Sequence, residues 1–124
     1  MMKAKILIPE MIFNSLIEFD KDLKRLLKKY RSLNSDLADV IKILNVRPNE
    51  KPPFSYTINN LGIETCVIKV KKIACDSLKG RGINSGLQLV YAHFPDAQKI
   101  ILVELYHKSD KEVEDRLRIL ANFK

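Results

Sequence analysis

Residues 64–72 have the sequence Glu-Thr-Cys-Val-Ile-Lys-Val-Lys-Lys, in which β-branched residues cluster and apolar residues alternate with lysines. This alternation predicts a β-strand, because successive side chains of a strand point to opposite faces of a sheet. Ile68 and Val70 then face one way, while Lys69 and Lys71 face the other. The segment therefore predicts a sheet with one apolar face and one basic face.

Two further segments, 87–93 and 99–107, show a similar pattern and are predicted to pair with the first strand as antiparallel neighbours. The side chains expected to face the core are Leu87, Leu89, Tyr91, Ile101, Val103 and Leu105. Those expected on the opposite face are Gln88, Val90, Ala92, Leu102, Glu104 and Tyr106. Together with Lys69 and Lys71, the amide of Gln88 and the phenol of Tyr106 make that face suited to a phosphate backbone and a base.

Apolar residues at helical spacing predict two helices before these strands and one after them. The stripe of the first helix consists of Phe19, Leu23, Leu26, Leu27 and Tyr30. The pair Ser35–Asp36 predicts the cap of the second helix, and Ser109–Glu112 has the spacing of a capping box that begins the third. A short apolar run, Ala4–Ile8, is expected to form an edge strand, and the proline-rich stretch Asn45–Ser55 a connector. We therefore expect one domain spanning residues 1–124.

The formal charge of +7 and the pI near 9.5 favour an anionic partner. For a small basic protein the commonest such partner is nucleic acid, although an acidic protein is also possible. No stretch approaches the roughly 18 apolar residues of a membrane-spanning helix, so no membrane association is expected.

The sequence predicts neither a metal site nor a cofactor. Cys66 and Cys75 are nine residues apart, and the chain has only two histidines. This pattern is typical neither of a zinc site nor of a redox-active cysteine pair. Both thiols are expected to be reduced, as in a cytoplasmic protein. The glycine-rich loop Leu78–Gly82 lacks the lysine-hydroxyl ending of a P-loop, which excludes that mode of nucleotide binding.

Lys69 and Lys71 are also candidates for chemistry. Their Cα atoms lie about 7 Å apart along a strand, and repulsion between the two ammonium groups would lower the pKa of one lysine toward that of a general base. The alternative is an ordinary solvated face of a one-sided sheet. The glycine-rich loop can bring Lys79 and Arg81 to the rim of this face.

Four segments resemble the RelE/ParE superfamily of bacterial toxins, near its RelE and HigB branches. They are Phe19–Leu33, Lys69–Lys71, Ser85–Tyr91 and Leu105–Glu112. The resemblance implies an α+β fold, in which an N-terminal helical hairpin packs on a small twisted antiparallel sheet and a C-terminal helix follows. It also implies a cognate antitoxin as partner and, for the RelE and HigB branches, cleavage of messenger RNA in the ribosomal A site.

In such enzymes the RNA's own 2′-hydroxyl attacks the phosphate, and the protein supplies a base, cations and a stacking group. By this resemblance Lys69 and Lys71 are the candidates for base and phosphate clamp, and Arg81 and Lys108 add catalytic charge. Tyr106 or His107 would stack on a base or relay a proton. The residues expected to bind RNA are Lys72, Lys79, Gln88, Tyr106 and His107.

One position departs from the family pattern. The family usually has an arginine where this chain has Gln88, and an uncharged side chain there costs about 100- to 1000-fold in rate if nothing replaces the charge. Three functions therefore stay open: a ribosome-dependent endoribonuclease, a non-catalytic relative that binds RNA, ribosome or antitoxin, and a ParE-like inhibitor of DNA gyrase.

Overall fold

The computed structural model describes residues 10–124, which form three α-helices and one five-stranded mixed sheet. The strands are β1 (Ile12–Ser15), β2 (Ser55–Thr57), β3 (Cys66–Val70), β4 (Leu87–Phe94) and β5 (Lys99–His107). The helices are α1 (Ile17–Leu27), α2 (Leu33–Val46) and α3 (Arg116–Phe123). The strand predicted at Ala4–Ile8 lies outside the described residues.

The strand order is β1-β5-β4-β3-β2. The predicted antiparallel pairing of β3, β4 and β5 is present, but β1 pairs with β5 in parallel. The expectation of a purely antiparallel sheet is therefore wrong. Both edge strands were missed because they have three or four residues, too few for an alternating pattern to be recognised.

The predicted helical hairpin on an antiparallel sheet also differs from the structure. Helix α1 leaves the edge strand β1 after one residue, Leu16, and packs mainly on β5. Its buried residues share one apolar cluster with those of α2 and with one face of the sheet. That cluster includes Phe19, Leu26, Leu33, Leu37, Val40, Leu44, Ile68, Val70, Leu87, Leu89 and Tyr91.

The opposite face of the sheet is largely covered. A second cluster joins Ile119 of α3 to Ile58, Val67, Val90, Ala92, Val103 and Tyr106. The open basic face expected from the alternation is thus restricted to one end of the sheet, because the C-terminal segment packs over the rest.

A β-bulge in β5 changes which side chains face which cluster. Val90 pairs with Glu104 and Tyr91 pairs with Leu102, so that Val103 has no partner in the ladder. Leu102 therefore joins the first cluster, which contains the buried residues of α1 and α2. Val103 and Ile101 belong to the second cluster and face α3. The predicted faces of these three residues are wrong, because strict alternation cannot anticipate an extra residue.

The C-terminal helix begins later than predicted. Its N-cap is Asp115, whose carboxylate accepts a hydrogen bond from the backbone N–H of Arg118 at 3.0 Å. Ser109 does not cap this helix; its hydroxyl lies 2.7 Å from Nδ1 of His107. Residues 108–115 instead form a connection between β5 and α3.

Candidate nucleic-acid interface

A cleft of about 480 Å³ lies at one end of the sheet and is called the lysine cleft here. The carboxyl ends of β3 and β5 meet the amino end of β4 at this edge, because β4 is antiparallel to both neighbours. The lining residues are Pro53, Tyr56, Lys69, Lys71, Lys72, Asn84, Gly86, Gln88, Lys108 and Glu112. Five of the nine residues expected to act on RNA are therefore in one cavity: Lys69, Lys71, Lys72, Gln88 and Lys108.

Lys69 is a fixed cation in this cleft. Its Nζ lies 3.2 Å from Oε1 of Glu114 and 3.5 Å from the hydroxyl of Tyr106. The side chains of Lys69 and Glu114 are only 14% and 7% exposed, so this ion pair is largely shielded from water. The ion pair fixes the position of the Lys69 ammonium at the cleft and offsets part of its charge.

The other three lysines of the cleft keep their charges toward solvent. Nζ of Lys71 lies 5.1 Å from the ring centroid of Tyr56, and Nζ of Lys72 donates to Oδ1 of Asn84 at 2.9 Å. Lys108 is exposed. Lys69 and Lys71 thus have separate partners, a carboxylate and a phenol for Lys69 and an aromatic ring for Lys71.

Gln88 and Tyr106 are cross-strand neighbours on the floor of the sheet. Gln88 is buried except where it lines the cleft, and Tyr106 is 2% exposed. Burial, and then the charges of Glu114 and Glu104, raise the pKa of the Tyr106 phenol. With Nζ of Lys111 also 5.2 Å from its ring centroid, Tyr106 has no free face for a nucleotide base.

Sequence reasoning missed the accessible aromatic residue of the cleft, Tyr56, which is 38% exposed. It lies just beyond the proline-rich connector, on the short edge strand β2. Glu112 was also missed as a site residue, since its spacing from Ser109 matched a capping box. It is the one carboxylate among the cleft's lining residues, and it is exposed.

The remaining predicted residues lie elsewhere. His107 is buried beyond Gly86, and Arg81 lines a separate cavity that His107 and Lys108 also line. Lys79 lines a third depression, beside Cys75. The glycine-rich loop therefore does not supply cations to the lysine cleft, and its role in RNA binding stays a prediction.

The described residues contain no group of three or more His, Cys, Asp or Glu side chains placed to hold a metal ion. Both cysteines are free thiols, and burial raises the pKa of Cys66 and of Cys75. Within residues 10–124, no helix has both the length and the apolar character needed to cross a membrane.

Comparison with known proteins gives a match in three dimensions only. No protein-family model matches the sequence, and no curated protein is significantly similar to it. A metal-bound toxin from Helicobacter pylori is 20% identical, with 81% of this chain and 97% of that chain covered and a TM-score of 0.55. A copper-bound mutant toxin from the same organism is 22% identical over the same shares, with a TM-score of 0.49. At these identities, the chain is similar in fold to the metal-bound Helicobacter pylori toxin.

Proposed function

We propose that this protein is the toxin of a type II toxin–antitoxin pair and that it cleaves messenger RNA on the ribosome. The lysine cleft carries the proposal, because four lysines, two amides and an accessible tyrosine converge there on one cavity. The order of RelE-like segments and the similarity in fold to a structure of a toxin support it.

The cleft fits a single RNA strand by its chemistry. Lys71, Lys72 and Lys108 would hold backbone phosphates, while the exposed ring of Tyr56 offers a stacking surface. Lys69, held by Glu114, would stabilise the negative charge that develops on the attacked phosphate. Such fixed charges contribute to catalysis because they need no reorganisation during the reaction.

Cleavage then needs a base for the 2′-hydroxyl and an acid for the leaving oxygen. We assign the role of base to Glu112, the carboxylate among the lining residues of the cleft, whereas the sequence alone had pointed to Lys69 or Lys71. The 2′-oxygen bonds to phosphorus, the bond to the 5′-oxygen breaks, and Lys108 supplies the proton that this oxygen takes up. The products are a 2′,3′-cyclic phosphate and a 5′-hydroxyl end, and no cofactor is consumed.

A second function is favoured by Gln88 and by the Lys69–Glu114 ion pair. An uncharged amide replaces the family's arginine, and one of the four lysine charges is already neutralised. A protein with these features can bind RNA or the ribosome without cutting. A cognate antitoxin is a proposed partner for either function, and the charge of +7 suits an acidic segment on it.

The test maps messenger RNA ends in a purified translation reaction, with and without ribosomes. It compares the wild type with Lys71→Ala/Lys108→Ala, which removes two exposed cations from the cleft, and with Lys42→Ala/Lys124→Ala, which removes two from elsewhere. Cuts within codons that need ribosomes and are lost only in the cleft variant are expected. Absence of cuts with folded wild-type protein would leave the binding function, and inhibition of gyrase supercoiling would instead favour the ParE-like function.

A further inference from the structure

A second basic cavity of about 510 Å³ lies beside the lysine cleft and is called the Arg81 cavity here. Its three cations come from three separate parts of the chain: Lys29 after α1, Arg81 in the glycine-rich loop and Lys108 after β5. Gly80 and Gly82 on either side of Arg81 have φ values of +82° and +54°, so this loop turns where side chains are disfavoured. Long-range folding thus gathers the three charges.

The floor of the Arg81 cavity is formed by two packed aromatic side chains. The rings of Tyr30 and His107 stack with centroids 5.7 Å apart and planes 21° apart. Nδ1 of His107 accepts a hydrogen bond from the backbone N–H of Ser109 at 3.1 Å, so we assign the ring proton to Nε2. Nε2–H then donates to the carbonyl of Ser85 at 2.8 Å. Both imidazole nitrogens therefore have hydrogen-bond partners within the protein, and these hold the ring in place at the floor of the cavity.

Among the described residues 10–124, none that lines the Arg81 cavity carries a negative charge. Within the same part of the chain, no ion pair involves Lys29, Arg81 or Lys108. Lys69 in the neighbouring cleft differs, since Glu114 neutralises it. Three cations that face one cavity without a carboxylate create a local field that attracts an anion.

The two cavities form one continuous basic surface. Lys108 lines both of them, and its backbone N–H donates to the carbonyl of Gly86 at 2.9 Å. Gly86 lines the cleft on one side, while His107 packs against it from the other: a Cβ at this glycine would lie 2.7 Å from Nε2 of His107. A thin wall of backbone and imidazole therefore separates the cavities, and Lys108 bridges them.

We propose that the Arg81 cavity is a subsite for the sugar-phosphate backbone of the same single-stranded RNA that enters the lysine cleft. This inference rests on the proposed function, which it extends by one neighbouring stretch of the strand. Lys29 and Arg81 contact phosphates there, next to Lys108 at the boundary with the cleft, and set the register of the strand. The cuts themselves are made in the lysine cleft.

The test measures binding of a single-stranded 2′-O-methyl oligoribonucleotide of about eight nucleotides, which carries no free 2′-hydroxyl and cannot be cut. Fluorescence anisotropy is recorded over a series of salt concentrations for the wild type and three double variants. These are Lys29→Ala/Arg81→Ala in the Arg81 cavity, Lys71→Ala/Lys72→Ala in the cleft, and Lys42→Ala/Lys124→Ala outside both. Thermal unfolding of each variant checks that the fold is kept, as expected for side chains of which all but the half-buried Lys72 are exposed.

The Lys29→Ala/Arg81→Ala variant is expected to bind about 10-fold more weakly at low salt. The slope of log affinity against log salt should become shallower by about 1.4, because each lost phosphate contact on a single strand contributes about 0.7. The Lys42→Ala/Lys124→Ala variant, with the same loss of charge, should keep the wild-type slope.

Contrary outcomes separate this inference from the proposed function. If the Arg81-cavity variant matches the control while the cleft variant loses affinity, the subsite is overturned and the cleft function stands. If neither the Arg81-cavity variant nor the cleft variant differs from the control, both the subsite and the proposed function of the cleft are overturned. If poly-glutamate of equal charge binds as tightly as the RNA and depends equally on Lys29 and Arg81, the cavity is an acidic-peptide site and the RNA inference is overturned.

Discussion

Gln88 lies on the floor of the lysine cleft, beside Lys69 and opposite Tyr106. If the cleft cuts RNA with one cation fewer than RelE-like toxins have, Gln88→Arg should raise the cleavage rate by about 100-fold, since it adds a charged donor at the attacked phosphate. The measurement is single-turnover cleavage in the purified translation reaction. Gln88→Met, similar in size and uncharged, is the matched control. Tighter RNA binding by the arginine variant without any cleavage would favour the non-catalytic function.

Glu112 tests the base separately from the cations. Glu112→Gln should lower the cleavage rate by about 100- to 10,000-fold, the usual contribution of a general base, and should leave RNA binding equal or stronger. Glu64→Gln removes the same charge from an exposed position outside the cleft and should have no effect on cleavage. An unchanged rate for Glu112→Gln would return the role of base to Lys71.

His93 provides a pH-dependent contribution to stability. It is buried in β4, and burial lowers the pKa of its imidazole below the ordinary value of about 6.5. Below pH 6.5 the unfolded chain therefore binds more protons than the folded chain, so stability is lost as the pH falls toward the folded-state pKa.

In urea titrations, the free energy of unfolding should decline between pH 7 and pH 5 more steeply for the wild type than for His93→Gln. The difference is at most about 1.4 kcal/mol per pH unit for one group. His107 and the carboxylates are present in both proteins and cancel in this comparison. Parallel pH profiles for the two proteins would show that His93 makes no such contribution.

At the scale of elements, the bulge in β5 depends on a buried ion pair. The N–H of Leu105 donates to Oδ2 of Asp22 at 3.2 Å, and the carbonyl of Val103 accepts from Nη1 of Arg118 at 2.9 Å. Nη1 of Arg118 also lies 2.7 Å from Oδ2 of Asp22. Burial lowers the pKa of Arg118, but its hydrogen bond to Asp22 and the nearby acidic charges outweigh that effect and raise it. This ion pair thus provides hydrogen-bond partners for the backbone at the bulge and connects α1 to α3.

Asp22→Ala should lower the free energy of unfolding by about 3 kcal/mol, because it leaves a mostly buried guanidinium and a backbone N–H without their partner. Chemical denaturation measures the change. Asp39→Ala, at an exposed position of α2, is the control and should change stability by less than about 0.5 kcal/mol. Asp22→Ala/Arg118→Met should recover part of the loss, and a double variant no more stable than the single one would contradict the pairing.

The same elements show which parts of the fold could be predicted from the sequence. The central strands and the apolar stripe of α1 were predictable, since each has several repeats of its period: Ile68 and Val70 alternate with Lys69, and Phe19 and Leu26 recur at helical spacing. The bulge at Val103 was not predictable, because it depends on partners at positions 22 and 118. The start of α3 was misplaced because two capping patterns, at Ser109 and at Asp115, compete locally, and the burial of Ile119 decides between them.

At the scale of the whole molecule, the lysines of the cleft differ in whether a carboxylate neutralises them: Glu114 pairs with Lys69, whereas Lys71, Lys72 and Lys108 form no ion pair among residues 10–124. The alternation in β3 and β4 correctly brought Lys69, Lys71 and Gln88 to one face, but it could not show that a later segment covers most of that face. Residues 108–115 are held there by Glu104, which pairs with Lys111 and accepts the N–H of Asp115 at 2.7 Å. Glu114, on the same connection, reaches the cleft and neutralises Lys69. The connection thus stabilises the fold at the expense of one cation in the cleft.

Glu114→Gln should therefore change RNA binding and stability in opposite directions. Affinity for single-stranded RNA should rise about 5-fold at low salt, and the salt slope should steepen by about 0.7, since Glu114 then no longer offsets the charge that Lys69 presents to a phosphate. The free energy of unfolding should fall by about 1–2 kcal/mol, because the largely buried ammonium then has only neutral partners. Glu64→Gln gives the same change in net charge from an exposed site and should alter neither the slope nor the stability. If the two variants bind RNA alike, Lys69 does not contact the strand, and the phosphate-binding lysines of the cleft are reduced to Lys71, Lys72 and Lys108.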